Sequence, residues 1–200
     1  AEKLQYYKTC IFTQPIHSQS DRECYFLMKK PLVSILISTY GQLEYTKRCL
    51  NSINQTVSEK IDFETLIVDD CSEDETQTFL KSLDSGIQTF FNQKREGYAK
   101  NNNFLAAQAK GEFLCFLNND VFVEGNWLEP MINTFHKFQE VGVVGNVQRL
   151  ADSSKYDHMG VVFSPEGNPR HFGQGFAYRP FKGEIRKWSA VTAACCLVRR

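Results

Sequence analysis

The sequence predicts an α/β protein in which a mostly parallel central sheet, flanked by helices, is followed by a mixed β part. Three observations carry this reading. Four short runs rich in β-branched and aromatic residues, "LVSILIS", "FETLIVDD", "GIQTFF" and "EFLCFLNND", recur between residues 32 and 120. Segments with helical spacing separate them. Beyond residue 140 the helical faces give way to "VGVVGNVQRL", "HMGVVFSPEGNPRHFGQGF" and "KWSAVTAACCLV", which read as strands around a Gly/Pro turn.

Each element follows from its residues. Residues 1–30 mix Tyr, Gln, Cys and charges without clear period and end in "MKKP", where Pro31 disfavours helix at Lys30, so they read as a leader or linker. "LVSILIS" is the first strand, and "EYTKRCLNSINQ" then places Tyr45, Cys49, Leu50 and Ile53 on one helical face. After the strand "FETLIVDD", "SEDETQTFLKSL" reads as a helix capped by Ser72 with acidic residues in its first turn. "GIQTFF" is a third strand, "GYAKNNNFLAAQAKG" a helix closed by Gly111, and "EFLCFLNND" a strand buried on both faces. Trp127, Met131, Phe135 and Phe138 make one more amphipathic stripe.

Composition narrows the function classes. The chain has 200 residues, 42% of them hydrophobic and 13% aromatic, which suits one globular domain with a sizeable core. The 23 Lys+Arg balance 23 Asp+Glu, so no whole-chain field attracts nucleic acid. No apolar run reaches membrane-spanning length, and no basic amphipathic helix suggests direct membrane insertion. The seven cysteines include no CxxC and several sit in apolar stretches, which points to buried thiols in a reducing, cytoplasmic setting. The chain opens on Ala1 and closes on Arg199 and Arg200 directly after an apolar run, so the expectation is a C-terminally truncated piece of a larger multidomain protein.

In open α/β sheets ligands lie beyond the carboxyl ends of strands, so the residues following each strand are the ones to weigh. Here they are "STY" (Ser38, Thr39, Tyr40), "DDCS" (Asp69, Asp70), "REGYAKNNN" before a helix, and "NND" (Asn118, Asn119, Asp120). No GxGxxG and no GxxxxGK[ST] is present, which gives no support to a dinucleotide site or a P-loop.

From Pro31 to Arg200 the chain resembles the family 2 glycosyltransferases with the A-type, nucleotide-diphospho-sugar-binding fold. The resemblance rests on "VSILISTY", "LIVDDCSEDET", "GYAKNNNFLAAQAKGEFLCFLNNDV", "WLEPM", "VGVVG", "HMGVVFSPEGNPRHF" and "VTAACCLVRR", all in order. It is most similar to members that build surface polysaccharides. The resemblance implies a nucleotide-sugar-binding part over 31–125 and an acceptor-side part over 126–200. It also implies a UDP- or dTDP-sugar donor, a glycan, lipid-linked or protein acceptor, and Mn2+ or Mg2+.

The same resemblance assigns roles. Ser38, Tyr40, Asp70 and Asn119 would bind the nucleotide, Asp70 accepting the N–H of a uracil or thymine ring. Lys100, Asn102, Asn103 and Asn118 would face the sugar or diphosphate. Asp120 would hold the metal, with His171 as a second ligand and His158 as a weaker candidate for that role. The reaction implied is an inverting displacement. Its general base, an Asp or Glu after the segment matched by "VTAACCLVRR", falls beyond Arg200, and neither Asp157 nor Glu184 stands in the matching context. Residues 1–200 alone are therefore expected to transfer sugar poorly.

Plainer readings stand beside these. "NND" after a buried strand also suits a turn, "DDCSEDET" a capped helix start, and Trp188 and the Cys195-Cys196 pair suit core. A noncatalytic nucleotide-sugar-binding or assembly module is the first alternative function. A nucleotidyltransferase is the second, and it would call for a Gly-rich phosphate loop where "STYGQLEY" supplies only Gly41.

Overall fold

The computed structural model describes residues 8–12, 32–84, 86–151, 153–177 and 185–200. Within the stretch expected to be a leader, Lys8–Phe12 forms strand β1. Its "KTCIF" alternation is too short to signal a strand on its own, and it finds its partners far along the chain. The rest of that stretch lies outside the described residues.

Along the chain follow β2 (Leu32–Thr39), α1 (Leu43–Thr56), β3 (Asp62–Asp69), α2 (Thr76–Lys81), β4 (Ile87–Phe91), α3 (Tyr98–Gln108) and β5 (Phe113–Leu117). Next come α4 (Leu128–Lys137), β6 (Val141–Asn146), β7 (Gln148–Arg149), β8 (Tyr156–His158), β9 (Val161–Phe163), β10 (Pro169–His171), β11 (Arg186–Trp188) and β12 (Cys195–Arg199). The α/β expectation holds: strands alternate with helices in the front of the chain, and strands dominate the back.

These elements group into two units. One takes residues 29–125 with 193–195 and 199–200. Its strands run parallel in the order β5-β2-β3-β4, the arrangement that βαβ crossovers produce. The inner strands β2 and β3 are buried on both faces, Val33, Ile35, Leu36, Ile37, Leu66 and Ile67 being fully enclosed, whereas β4 at the edge is half-buried throughout. Cys49, Leu50 and Ile53 of α1 pack inward as expected, but Tyr45 is 46% exposed, its ring lying parallel to Phe122 at 6.1 Å.

The other unit takes 126–192 with 196–198 and β1. Its strands are mixed: β1 pairs parallel with β6 and antiparallel with β11, and β12 pairs antiparallel with β6. Leu128, Met131, Ile132 and Phe135 form the buried stripe of α4, whereas Trp127 and Phe138 sit at its two caps. Gly160 and Gly173 admit close packing: a Cβ at either would lie 2.3 Å from Trp188 or from the Met159 sulfur.

Two capping expectations are overturned. The helix after β3 starts at Thr76, four residues beyond Ser72, because Cys71 adopts φ 66 and turns the chain aside. Ser72 instead gives its N–H to Asp69 Oδ2 (2.9 Å) and its hydroxyl to Asp69 Oδ1. Gly111 does not close α3, which ends at Gln108 with Ala109 already extended. The Gly111 N–H goes to Ser34 Oγ (2.8 Å), fixing the α3–β5 loop to β2.

The same loop is held by Glu64, which accepts from the Ser34 hydroxyl (2.6 Å), the Lys110 N–H (2.6 Å) and the Gln88 amide (2.9 Å). Burial alone would raise its pKa, but the Ser34 hydroxyl, the Lys110 N–H and the Gln88 amide outweigh it, so the carboxyl sits below its ordinary range. A depressed carboxylate stabilises fully above its ordinary value near 4.5, and the contribution is lost as pH falls through the lower native value. Glu64→Gln is therefore expected to cost about 2 kcal/mol at neutral pH. Denaturant midpoints should show the gap to wild type closing below pH 4.5; a gap independent of pH would contradict this account.

Candidate functional site

The carboxyl ends of β2, β3 and β4 and the start of α3 meet at Asp70, which is only 3% exposed. Its backbone N–H bonds Thr39 O at 2.8 Å, tying the ends of β2 and β3 together. Its Oδ1 accepts from Asn92 Nδ2 and the Glu96 N–H, both at 2.8 Å, and its Oδ2 accepts the Gly97 N–H at 3.0 Å. Burial would raise the Asp70 pKa, but the Glu96 N–H, the Asn92 and Asn101 amides and the Gly97 N–H outweigh it and hold the carboxyl below its usual range. Of the three bonds with stated geometry, two fall on Oδ1 and one on Oδ2, so Oδ2 is the oxygen with fewer donors.

Ser38 Oγ accepts from Asn101 Nδ2 at 3.0 Å. Tyr40 is 40% exposed and carries the Arg95 guanidinium 3.7 Å from its ring centroid. The "YGQ" turn beneath it is strained and pinned. Gly41 and Gln42 both have positive φ, 61 and 57, and the Gly41 N–H bonds Ser72 Oγ at 2.6 Å. Gln42 and Cys71, the non-glycine residues of positive φ, thus lie just past the ends of β2 and β3.

At the "NNN" stretch Asn102 is buried and spends its Nδ2 on Tyr98 O (3.0 Å), Asn103 is exposed, and Lys100 pairs with Glu96 one turn back. The residue the pattern missed is Asn101, 1% exposed and bonded on both sides. Asn92 was missed as well, although its place immediately after β4 satisfies the strand-end rule.

The "NND" turn is fastened to α1 at several points. Asn119 Nδ2 donates to Thr39 Oγ1 (3.0 Å) and Thr46 Oγ1 (3.1 Å), the Val123 N–H reaches Ser52 Oγ (3.1 Å), and Phe122 lies between Tyr45 and the Arg48 guanidinium. The Asn118 N–H bonds Ala194 O (2.9 Å), and its carbonyl accepts the Cys49 thiol (3.6 Å). Burial, then Cys195 and Asp120, push the Cys49 pKa up to about 12, so it stays a thiol. With its nitrogen committed inward, Asn119 contributes to its surroundings through its oxygen.

Asp120 is exposed, and Asn118 Oδ1 is a buried acceptor with no hydrogen-bond partner among the described residues. One carboxylate with neighbouring amide oxygens is a hard, oxygen-rich donor set that fits Mg2+ or Mn2+ once phosphate oxygens and water complete the shell. Among the described residues no group of three or more His, Cys, Asp and Glu converges as a ready-made metal cage.

In the other unit, His171 is an exposed residue of the β9–β10 hairpin. Its ring meets that of His158 edge-on at 4.7 Å. His158 is fully buried; burial, with His171 alongside, lowers its pKa to about 4. Its Nε2 accepts the Thr192 N–H at 3.4 Å, so its proton resides on Nδ1, which has no acceptor. Asp157 accepts the Gln174 amide (3.1 Å), and Glu184 lies outside the described residues. Cys49, Cys115, Cys195 and Cys196 are buried as expected and form no disulfide among the described residues, while Cys71 is partly exposed. No helix among the described residues is long and apolar enough to cross a membrane.

A parallel sheet with polar turns at its carboxyl edge, followed along the chain by a mixed β part, defines an A-type glycosyltransferase fold. Residues 34–200 match the model of glycosyl transferase family 2, and the chain belongs to that family. It is 36% identical over 110 residues, 52% of its length, to the O-antigen biosynthesis protein RfbC of Myxococcus xanthus, of which it covers 8%. Among solved structures it is similar to S. aureus TarS 1–349, with TM-score 0.54, 23% identity, and 62% of this chain and 37% of that one covered. It is also similar to the mannosyltransferase PcManGT of Pyrobaculum calidifontis, solved with GDP-Man and Mn2+, with TM-score 0.52, 22% identity, and coverage of 62% and 38%. The chain thus spans well under two thirds of the length of each of these proteins.

Proposed function

We propose that the chain carries the donor-binding part of an inverting glycosyltransferase. It would transfer a sugar from a UDP- or dTDP-sugar to a hydroxyl on a glycan, lipid-linked or protein acceptor during polysaccharide assembly. The observation that carries the reading is Asp70: a buried carboxylate held ionised at the strand edge of a family 2 fold, with fewer donors on Oδ2 than on Oδ1. A pyrimidine imide N–H is a fitting partner for it, and Tyr40 and Ser38 stand beside it on the neighbouring strand end.

Asn119, Asn118 and Asp120 follow β5, with Asn102, Asn103 and Lys100 on the first turns of α3, where the diphosphate and sugar would lie. Asp120, with amide oxygens beside it, would hold Mn2+ or Mg2+, whose chemistry is to neutralise charge on a departing diphosphate. The protein's own part is to orient the donor and to exclude other nucleotides. No residue is assigned as the base. Reduced thiols suit a cytoplasmic location, and a role as one module of a larger chain suits the coverage of its relatives.

Titration calorimetry with UDP and dTDP, each with and without Mn2+, tests this directly. At least one nucleotide is expected to bind in the micromolar range with Mn2+ and about tenfold more weakly without it. A folded chain that binds neither would favour a noncatalytic role.

A further inference from the structure

The polar residues at the strand edge form a directed chain, and its direction has a consequence for which base the pocket accepts. Asn101 Nδ2 donates to Ser38 Oγ (3.0 Å), so its Oδ1 faces Asn92, from whose Nδ2 it accepts at 2.7 Å. That same Asn92 nitrogen donates to Asp70 Oδ1 at 2.8 Å. The chain therefore links the ends of β2, β3 and β4 with the first turn of α3. Each amide is fixed in one orientation: flipping Asn92 would set its oxygen against Asp70 Oδ1, and flipping Asn101 would set its nitrogen against that of Asn92.

Neither amide is held by sequence neighbours alone. The Asn92 N–H bonds Asp69 O (3.0 Å), and the Asn101 N–H bonds Gly97 O (3.0 Å), whose own N–H reaches Asp70 Oδ2. Asn101 is 1% exposed, so it works through other residues and touches no ligand itself. The buried Asn101 amide has a partner on both its oxygen and its nitrogen, and the Asn92 nitrogen serves two acceptors.

We infer that Asn101 and Asn92 are positioning residues that lock the Asp70 carboxylate as a fixed, acceptor-only partner, and that this lock makes the pocket select a pyrimidine with an imide N–H, uracil or thymine, over cytosine. The inference rests on the reading that Asp70 receives the base. Oδ2, the oxygen with fewer donors, accepts the uracil N3–H. Cytosine in the same pose presents the N3 lone pair, and a carboxylate that can neither rotate nor take up a proton repels it. With the amide chain cut, the carboxylate keeps the Glu96 and Gly97 N–H groups but loses the side-chain donor on Oδ1, so it is held less rigidly and discrimination narrows.

The test is calorimetry on the full chain in Mn2+ with UDP and CDP as probes, comparing wild type, Asn101→Leu, Asn92→Ala and Asp70→Asn. Wild type is expected to prefer UDP by about 30-fold or more. Asn101→Leu should weaken UDP about tenfold while leaving CDP nearly unchanged, so that the ratio narrows. A structural role alone would weaken both nucleotides together, and that result overturns the inference, as does an unchanged ratio or a wild type that binds UDP and CDP alike. If Asn101→Leu does not fold, Asn92→Ala removes the donor to Asp70 from a partly exposed site and reads the same ratio. Asp70→Asn separates the two levels: UDP binding that survives it intact overturns the base assignment itself, whereas its loss together with an unchanged ratio in the asparagine variants overturns the relay alone.

Discussion

Replacing Asp120 by alanine is expected to lower nucleotide affinity in Mn2+ by about 100-fold, roughly 3 kcal/mol, and to leave affinity without metal and the unfolding midpoint unchanged. The separation of effects follows from what Asp120 does in the fold, which is very little. It is exposed, and its carboxylate takes part in no hydrogen bond among the described residues. The turn that carries it is held instead by the amide of Asn119 on Thr39 and Thr46, by the Val123 N–H on Ser52, and by Phe122 against Tyr45 and Arg48. A carboxylate held in place by its neighbours and used by none of them is free to bind a cation. Asp69 and Asp70 are the contrast, since both are buried and already answer backbone N–H groups. Asp120→Asn should fall between, because an amide oxygen is a weaker ligand without the charge. Calorimetry with and without Mn2+ decides the matter: metal-dependent binding that persists in Asp120→Ala means the cation sits elsewhere.

The parallel front of the fold was legible because its signal is local. A strand buried on both faces must be apolar throughout, so "LVSILIS" and "EFLCFL" announce themselves, and the strand-end rule then leads to Ser38, Asp70 and Asp120. What failed were decisions of phase and partnership. "NNN" opens α3 without an apolar stripe to set which Asn faces inward: Asn101 is buried as well as Asn102, and it is Asn101 that bonds into the strand edge. Ser72 has the chemistry of a helix cap but lies within reach of Asp69, and a carboxylate outbids the helix for its N–H and hydroxyl. Lys8–Phe12 could not be recognised because its partners, β6 and β11, are more than a hundred residues away in sequence. His158 looks like a candidate metal ligand in sequence, yet burial has placed it in the core, while Trp188, read as core, packs against Gly160.

That last contact supports the second large effect. Gly160→Ala is expected to destabilise the unit containing it by about 3 kcal/mol, against about 1 kcal/mol for Gly167→Ala. Gly160 has φ +151, and a Cβ built there lies 2.3 Å from Trp188 Cδ2 and 2.4 Å from Cε2, inside any tolerable contact. Relief would require the indole to move, but Phe172 packs on it at 4.9 Å, and the Phe172 N–H is itself bonded to Gly160 O at 2.8 Å. The ring cannot retreat without loosening the link that joins β8–β9 to the turn after β10. Gly167 isolates the other component of the penalty: its φ is +84, yet a Cβ there meets nothing within 4 Å, so only backbone strain remains. Denaturant unfolding of the two variants separates these causes. A Gly160→Ala loss well above that of Gly167→Ala places the cost in the Trp188 contact, and equal losses would assign it to backbone conformation alone. If the steric account is right, a further Trp188→Leu substitution should recover part of the Gly160→Ala loss, because the alanine methyl then meets a smaller, flexible neighbour.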